Sequence, residues 1–230
     1  MNKYAIVLAG GTGSRMKSNI PKQYMEVCGK PLLLYALEAF EKSDVIDGIV
    51  IVVARQDEEY CLKNIIDRYN INKFVKFAYA GKERYESVYN ALLAIDEECE
   101  RVFIHDGARP CVTVDMIKKL DEKADKTGNA VAAVPSKDTV KIADDNGFCI
   151  STPDRKNVWI VQTPQVFSYQ AIKNAYIKMM NCGQTENITD DAMVMEKFGS
   201  ERICLYGGEY TNIKVTTTED IEVLETFLKK

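Results

Sequence analysis

The chain has 230 residues, of which 46% are hydrophobic and 28% charged, and its formal net charge is −4. This balance is that of a soluble globular chain, and it excludes a disordered tail, a collagen-like fibre and a small disulfide scaffold. The acidic surplus argues against general binding to nucleic acid or to acidic membranes, and the apolar runs are shorter than the ~20 residues of a membrane helix. Seven cysteines without a C-x-x-C spacing favour free thiols in a reducing compartment. We therefore predict a single cytoplasmic domain over residues 1–230.

Strand-like and helix-like segments alternate along the chain. Apolar runs predict strands at 4–8, 49–54, 74–79, 102–104, 130–134, 158–161, 203–206 and 213–216. Helical spacing and end signals predict helices at 31–40, 58–69, 86–95, 114–127, 169–182, 189–198 and 219–228. This alternation predicts an α/β fold with a doubly wound, mostly parallel, Rossmann-like sheet, in which sites lie at the carboxyl ends of the strands.

The alternation breaks between residues 135 and 153. Two short strand-like pieces, 140–143 and 148–152, flank Asn146-Gly147, a dipeptide typical of hairpin turns. An isolated two-stranded hairpin is only marginally stable in water. We therefore expect residues 136–155 to form a protruding β-hairpin arm that packs on something else, with a second subunit as the expected support.

A glycine-rich loop, Ala9-Gly10-Gly11-Thr12-Gly13, follows the first strand. Glycines let backbone N–H groups approach a phosphate closely, although the same composition also suits an ordinary strand-to-helix turn. The dinucleotide fingerprint fails because Met16 stands where its third glycine belongs, and no Gly-Lys pair continues as a Walker A loop. Arg15 and Lys22 come next and could meet the charge of a phosphoryl group, or could be ordinary solvated side chains.

Asp106 and its neighbours end the fourth predicted strand. Asp106 is a candidate for binding Mg²⁺ or a substrate hydroxyl, and Arg109 is either a second site residue or the salt-bridge partner of Asp106. His105 is the only histidine, and a single histidine at a strand end is more often structural than catalytic. Further polar loops occur at 81–87, 137–141, 154–155, 189–191 and 212–216, each of them either a solvated run or, at 189–191, a helix N-cap.

Taken in order, these stretches form a recognisable set. The motifs A-G-G-x-G-x-R-M, P-K-Q-Y, G-x-E-R-x-x-S-V, H-D-x-A-R-P, D-T-V-K, D-R, Q-T-P-Q-x-F, T-D-D-A and N-I-K-V-T span almost the whole chain. Together they resemble the 2-C-methyl-D-erythritol 4-phosphate cytidylyltransferase family of non-mevalonate isoprenoid synthesis. The resemblance implies a nucleotidyltransferase in which the phosphate of the acceptor attacks the α-phosphorus of CTP and releases pyrophosphate, with Mg²⁺ on the triphosphate and no covalent enzyme intermediate.

The resemblance also implies roles for individual residues. The expected catalytic residues are Arg15, Lys22, Arg155 and Lys214. The expected nucleotide-binding residues are Ala9, Gly10, Gly11, Gly13, Gly81, Ser87 and Asp106. The expected acceptor-binding residues are Asp106, Arg109, Thr139, Arg155 and Lys214, with Asp106 also the candidate metal ligand. The resemblance further implies a homodimer in which the arm crosses into the partner subunit, so that Thr139 and Arg155 serve the neighbouring site.

Two positions depart from the family pattern: Gly10 and Gly107 stand where alanines are usual. The Ala-Gly-Gly form also resembles the ribitol-5-phosphate cytidylyltransferases, which remain the alternative, and a non-catalytic nucleotide-binding regulator is the alternative of another class. The small Gly107-Ala108 pair beside Asp106 is expected to leave space for the branched carbon of methylerythritol, which favours the first family.

Overall fold

The computed structural model describes residues 2–11, 21–95 and 98–229. Its strands are β1 Asn2–Leu8, β2 Glu26–Val27, β3 Lys30–Pro31, β4 Gly48–Val53, β5 Phe74–Tyr79, β6 Cys99–Asp106, β7 Asn129–Pro135, β8 Ile142–Ala143, β9 Cys149–Ser151 and β10 Trp159–Ser168. Its helices are α1 Leu32–Lys42, α2 Glu58–Cys61, α3 Arg84–Ala94, α4 Val114–Thr127, α5 Tyr169–Cys182, α6 Asp191–Phe198 and α7 Thr218–Leu228. A π-helical segment, Leu62–Asp67, continues α2.

Six strands form the central sheet, in the order β5-β4-β1-β6-β10-β7. Strand β1 pairs in parallel with β4 and β6, and β4 pairs in parallel with β5. Strand β10 runs antiparallel to both of its neighbours, β6 and β7, so five strands point one way and one points back. The predicted α/β fold with a mostly parallel sheet is confirmed.

Both faces of the sheet are covered by helices, as β4 illustrates. All six residues of β4 are buried. Its odd-numbered Ile49, Ile51 and Val53 pack with α1 and α4 on one face, whereas Val50 and Val52 pack with α3 and α5 on the other. Successive side chains of a strand point to opposite faces, so a strand covered on both sides reads as the continuous apolar run seen here.

The predicted strand at 158–161 is longer in the structure, where β10 continues to Ser168. The polar residues Gln162, Thr163 and Gln165 interrupt the apolar pattern, yet all three are buried. The register of β10 against β7 shifts between Val161 and Gln165. The prediction ended this strand too early because these three residues are polar. Their burial depends on hydrogen bonds to segments distant in the chain, which the local sequence does not show.

The two predicted strands near the carboxyl terminus are not strands. Residues 203–206 make only an isolated parallel bridge, between Val131 and Leu205 at the edge of β7. In 213–216, the Val215 N–H bonds the Ala108 carbonyl at 2.8 Å, and the Val215 side chain is buried in a small cluster with Val27 and Leu224. The apolar and β-branched residues in these segments are there because they are buried. A high β propensity is found both in buried segments and in paired strands, so it could not distinguish the two.

The predicted hairpin is present but short. Strands β8 and β9 pair antiparallel, and the turn is closed by the Gly147 N–H bonding the Asp144 carbonyl at 3.0 Å. Gly147 has φ +83°, the left-handed conformation that glycine adopts without steric cost. Ile142 and Ile150 in the strands and Phe148 just before β9 have exposed side chains, so they contribute nothing to the core formed by the described residues.

Among the described helices, none is long and apolar enough to cross a lipid bilayer.

Candidate active site

The glycine loop leaves β1 at the carboxyl edge of the sheet. The Ala9 N–H bonds the Val52 carbonyl at 2.7 Å, and the buried side chain of Gln23 donates to the Ala9 carbonyl at 2.7 Å. These two bonds hold the backbone at the start of the loop from both sides. Gly13 and Arg15 lie outside the described residues, so their predicted roles stay predictions.

Gly10 lies too close to a neighbouring residue to carry a side chain. An ideal Cβ at Gly10 would lie 2.4 Å from the Cβ of Ala80, far inside the ~3.5–4.0 Å of an ordinary carbon contact. The absence of a side chain at Gly10 is therefore matched by the methyl group of Ala80, which lies just beyond the end of β5.

The start of α3 forms one wall of a cavity, and the glycine loop forms the other. The Gly81 N–H bonds Ser87 Oγ at 3.0 Å, and that hydroxyl donates to the Glu83 carbonyl at 3.2 Å. Glu83 and Glu86 form a capping box at the helix start, which satisfies N–H groups that a helix leaves without partners. Gly81 and Ser87, predicted as nucleotide contacts, are therefore held against each other by the cap of this helix.

A cavity of about 330 Å³ lies between these two walls. It is lined by Leu8, Ala9, Gly10, Gly11, Lys22, Gln23, Val52, Gly81, Lys82, Glu83, Arg84, Ser87, Asp106, Ala108 and Lys214. The predicted nucleotide-binding residues that the structure describes thus share one cavity. Lys22 lines it too, and its ammonium donates to the Val215 carbonyl at 3.1 Å.

A second cavity of about 450 Å³ adjoins the first. It is lined by Arg84, Asp106, Arg109, Val161, Gln162, Thr163, Gln165, Thr189, Asp190, Ala192, Met193, Glu196, Ile203, Leu205 and Lys214. Three charged side chains, Arg84, Asp106 and Lys214, line both cavities and so form the boundary between them.

Asp106 lies at the centre of this boundary. Its Oδ1 accepts from Arg84 Nε at 3.1 Å, and its Oδ2 lies 2.8 Å from Lys214 Nζ. Burial alone would raise the pKa of Asp106, but the positive charges of Arg84 and Lys214 outweigh it and hold that pKa well below its usual range. Asp106 is therefore an anion at neutral pH, with each carboxylate oxygen already bound to one cation.

Arg109 faces the second cavity rather than Asp106. One of its terminal nitrogens donates to the Asn212 carbonyl at 2.9 Å, and Asn212 in turn donates to the Thr163 carbonyl at 2.8 Å. Burial lowers the pKa of Arg109 from its ordinary value, partly offset by Asp106. Among the described ion pairs of Asp106 the partners are Arg84 and Lys214, so the alternative of a direct Arg109–Asp106 pair is wrong.

His105 has a structural environment. It is fully buried, with Nε2 3.0 Å from the Arg109 carbonyl and Nδ1 3.1 Å from Thr163 Oγ1. Desolvation by burial lowers its pKa to about 4. Both ring nitrogens are thus engaged within the protein, and the structural interpretation of this histidine is confirmed.

Gly107 does not provide the space that we expected beside Asp106. An ideal Cβ there would lie 2.8 Å from both Leu33 Cδ1 and the Leu8 carbonyl oxygen, so the position points into the core and not into the second cavity. Ala108 lines the first cavity. The expectation is therefore wrong for Gly107, whose missing side chain serves packing, and for Ala108 it stays a prediction.

Thr139 and Arg155 lie apart from both cavities. Both side chains are exposed in the segment around the hairpin, and Arg155 donates to the Lys137 carbonyl at 3.3 Å. Neither lines either of these two cavities, so their predicted roles stay predictions.

Asp106 is the one predicted metal ligand, and its surroundings limit what it can hold. Mg²⁺ takes about six oxygen ligands, and the described residues contain no group of three or more His, Cys, Asp or Glu side chains placed to bind one ion. A single carboxylate already bound to two cations can supply at most one ligand. An ion here would fit only if phosphate and water oxygens supplied most of its coordination.

Sequence reasoning missed how Arg84 and Asp191 act together. Arg84 appeared only as part of a polar loop, and Asp191 only within a helix N-cap. Asp190 is that cap, accepting from the Met193 N–H at 2.9 Å, while Asp191 is fully buried and binds Arg84 through both oxygens. An acid directly after an N-cap is common in the first turn of a helix, so no local signal in the sequence identifies this pair.

Comparison with known proteins finds similarity over almost the whole chain. The family model for 2-C-methyl-D-erythritol 4-phosphate cytidylyltransferase matches residues 4–230. A protein of that name from Lachnospira eligens is 48% identical over 98% of both chains. The 4-diphosphocytidyl-2C-methyl-D-erythritol synthase structure from Anaerococcus prevotii has a TM-score of 0.87 and 33% identity, covering 100% of this chain and 96% of its own. The Francisella tularensis 2-C-methyl-D-erythritol 4-phosphate cytidylyltransferase structure has a TM-score of 0.81 and 33% identity, covering 98% and 99%. The chain belongs to the 2-C-methyl-D-erythritol 4-phosphate cytidylyltransferase family.

Proposed function

We propose that this protein joins CTP and 2-C-methyl-D-erythritol 4-phosphate, giving 4-diphosphocytidyl-2-C-methyl-D-erythritol and pyrophosphate, a step of non-mevalonate isoprenoid synthesis. The observation that carries the proposal is the pair of adjoining cavities with Asp106 and Lys214 on their common boundary. A transfer between two substrates needs both held side by side, with the reacting atoms in near-attack geometry. Membership of the family supplies the identity of the two substrates.

In the proposed reaction, a phosphate oxygen of the acceptor forms a bond to the α-phosphorus of CTP, and the bond from that phosphorus to the bridging oxygen breaks. The leaving group is pyrophosphate. Catalysis of such a displacement consists mainly of positioning and of stabilising the negative charge that develops at phosphorus. We assign that stabilisation to Arg15 and Lys22, and the binding of the acceptor phosphate to Arg109 and Lys214.

The first cavity is proposed to hold the nucleotide. Ala9, Gly10 and Gly11 would lie behind it, and Gly81 and Ser87 would contact the cytosine and the ribose. Because Asp106 is charged and borders both cavities, it can accept a hydrogen bond from a sugar hydroxyl. Mg²⁺ is proposed to enter as part of the CTP complex, where triphosphate oxygens supply most of its ligands and Asp106 at most one.

The hairpin is proposed as an arm that mediates a homodimer. Ile142, Phe148 and Ile150 are 50%, 73% and 66% exposed, and exposed apolar side chains grouped on one segment are typical of a surface that another chain covers. Thr139 and Arg155 would then reach the neighbouring site. We further propose that residues 1–230 act as one nucleotidyltransferase domain with 136–155 as its arm, in the cytoplasm, where the seven free cysteines would stay reduced.

The deciding experiment measures pyrophosphate release from CTP with methylerythritol 4-phosphate and with ribitol 5-phosphate in parallel. A site that bonds a substrate hydroxyl discriminates strongly against an analogue that lacks or misplaces it, so we expect kcat/KM to favour methylerythritol phosphate by at least tens-fold. A ratio near one, or one favouring ribitol, assigns the protein to the ribitol alternative. Tight CTP binding without release from either acceptor assigns it to the non-catalytic alternative.

The arm is tested by mixing two inactive variants. Arg155→Ala impairs the arm and Lys22→Ala impairs the nucleotide cavity, so a hybrid dimer keeps one site in which both are intact. Activity should partly recover when subunits exchange. Exchange demonstrated by labelled subunits without recovery of activity would place Arg155 in the site of its own chain.

A further inference from the structure

A buried ionic chain runs behind the boundary of the two cavities. Asp191, the first residue of α6, is fully buried. Its Oδ1 accepts from Arg84 at 3.0 Å and its Oδ2 accepts from the other terminal nitrogen at 2.8 Å. The Tyr176 hydroxyl on α5 donates to the same Oδ1 at 2.6 Å.

The chain continues from Arg84 into the site. Arg84 uses its third nitrogen, Nε, on Asp106, and Asp106 is paired on its other oxygen with Lys214. Two carboxylates therefore hold the guanidinium group by all three of its nitrogens. A bidentate arginine–carboxylate pair restricts orientation as well as adding energy, so the direction of Arg84 is set from the side away from the cavities.

The start of α6 is itself anchored from the sheet. Gln165 on β10 accepts from the Ala192 N–H at 2.8 Å and donates to Asp190 at 2.8 Å. Asp191 lies between these two anchored residues and cannot shift without breaking the cap. Its position is thus determined by the helix start, and the position of Arg84 follows from it.

This arrangement does more than neutralise buried charge. Asp191 has no exposed surface and lines neither cavity, whereas Arg84 is 26% exposed and lines both. Asp106 shares its charge between Arg84 and Lys214, so Asp191 completes the neutralisation of these two cations. Because it binds both terminal nitrogens of Arg84, Asp191 also fixes the orientation of the guanidinium.

We propose that Asp191, supported by Tyr176, is a positioning residue that orients Arg84 and, through it, the Asp106 carboxylate toward both substrates. The inference rests on the proposed cytidylyltransferase function, and it deepens that function by assigning a role to residues that touch neither substrate. Its consequence is that one buried side chain affects the binding of the nucleotide and of the acceptor together.

The test uses Asp191→Asn, which keeps the size of the side chain and removes its charge. We expect the dissociation constant for CTP, measured by calorimetry without acceptor, and the KM for methylerythritol phosphate each to rise about tenfold, the change that corresponds to ~1.4 kcal/mol. Tyr176→Phe should raise both by about threefold, since it removes one neutral donor from the same carboxylate. In an Arg84→Lys background, Asp191→Asn should add little, because its effect passes through the lost guanidinium.

Asp121→Asn is the matched control. Asp121 is a buried carboxylate that accepts from Arg101 at 2.5 Å and lines neither cavity. It should lower the unfolding midpoint while leaving the affinity for both substrates within twofold of the parent.

Affinities for both substrates that stay within twofold in folded Asp191→Asn would overturn the inference, as would equal rises in Asp121→Asn. If Asp191→Asn does not fold, unchanged affinities in Tyr176→Phe overturn it. A parent enzyme that binds CTP without turnover would instead refute the proposed function, and the calorimetry would still report on Asp191.

Discussion

The close approach of Gly10 to Ala80 makes a quantitative prediction. Replacing Gly10 by alanine puts two methyl carbons 2.4 Å apart, so about 1 Å of movement is needed to reach an ordinary contact. Neither backbone is free to give way, because the Ala9 N–H bonds the Val52 carbonyl at 2.7 Å and the Ala80 N–H bonds the Val53 carbonyl at 2.9 Å. We expect Gly10→Ala to lower the free energy of unfolding by ~1–3 kcal/mol, the range for overpacking.

Exchanging the two residues should relieve the clash. Ala80→Gly alone removes one methyl group and loosens the unfolded chain, which lowers stability by ~0.5–1 kcal/mol. The double variant Gly10→Ala/Ala80→Gly carries one methyl group between the two positions, as the parent does. Its free energy of unfolding should therefore return to about that of the parent, giving a coupling energy of ~1.5–4 kcal/mol, the sum of the two single effects.

The assay is urea unfolding of the parent and three variants, together with CTP binding by calorimetry. Gly10→Ala should weaken CTP binding because the displaced loop backs the proposed nucleotide cavity, and the exchange should restore binding. Additive effects on stability, with a coupling energy below ~0.5 kcal/mol, would refute the steric argument and show that the loop adjusts without strain.

Two further predictions concern charge. Lys22→Ala and Arg15→Ala should each lower kcat by about two orders of magnitude, which corresponds to the ~3 kcal/mol of a lost transition-state donor. The substrate dissociation constants should change less. Single-turnover rates within a few-fold of the parent would contradict these roles. Burial lowers the pKa of His105 to about 4, below the ~6.5 of the unfolded chain. The unfolded state therefore binds the extra proton, and stability should fall by up to ~3 kcal/mol as the pH drops from about 6.5 to 4. Urea unfolding between pH 7 and 5.5 checks this against His105→Gln, which removes the only histidine; equal slopes in both proteins would exclude His105 as the cause.

Much of the fold could be predicted because it depends on local patterns. The helix at 114–127 is an example: Thr113 accepts from the Met116 N–H at 3.1 Å and Gly128 ends the helix at φ +82°, as the capping residues indicate. The continuous apolar run of β4 likewise predicts a strand buried on both faces.

What could not be predicted depends on contacts between distant residues. Arg84 and Asp191 are separated by 107 positions, and neither side chain carries a local sign of its partner. The same holds for Gln162 in β10, whose buried amide donates to the Glu209 carbonyl at 2.8 Å and so makes a polar residue acceptable inside the sheet. The strand prediction around Val215 was wrong in the opposite sense. Val215 is apolar because it is buried, and not because it pairs with a neighbouring strand.

The antiparallel direction of β10 has a consequence for how the hairpin segment can vary. Pro135 at the end of β7 lies opposite Trp159 at the start of β10, and the Ser136 N–H bonds the Val158 carbonyl at 2.8 Å, so the segment between them leaves and re-enters the sheet at one place. For a flexible loop with fixed ends, each doubling of length adds only about 0.6 kcal/mol of closure entropy. The segment can therefore be lengthened, shortened or grafted from a relative without altering the register of the sheet. The length and sequence of this segment can thus diverge independently of the stretches that form the sheet.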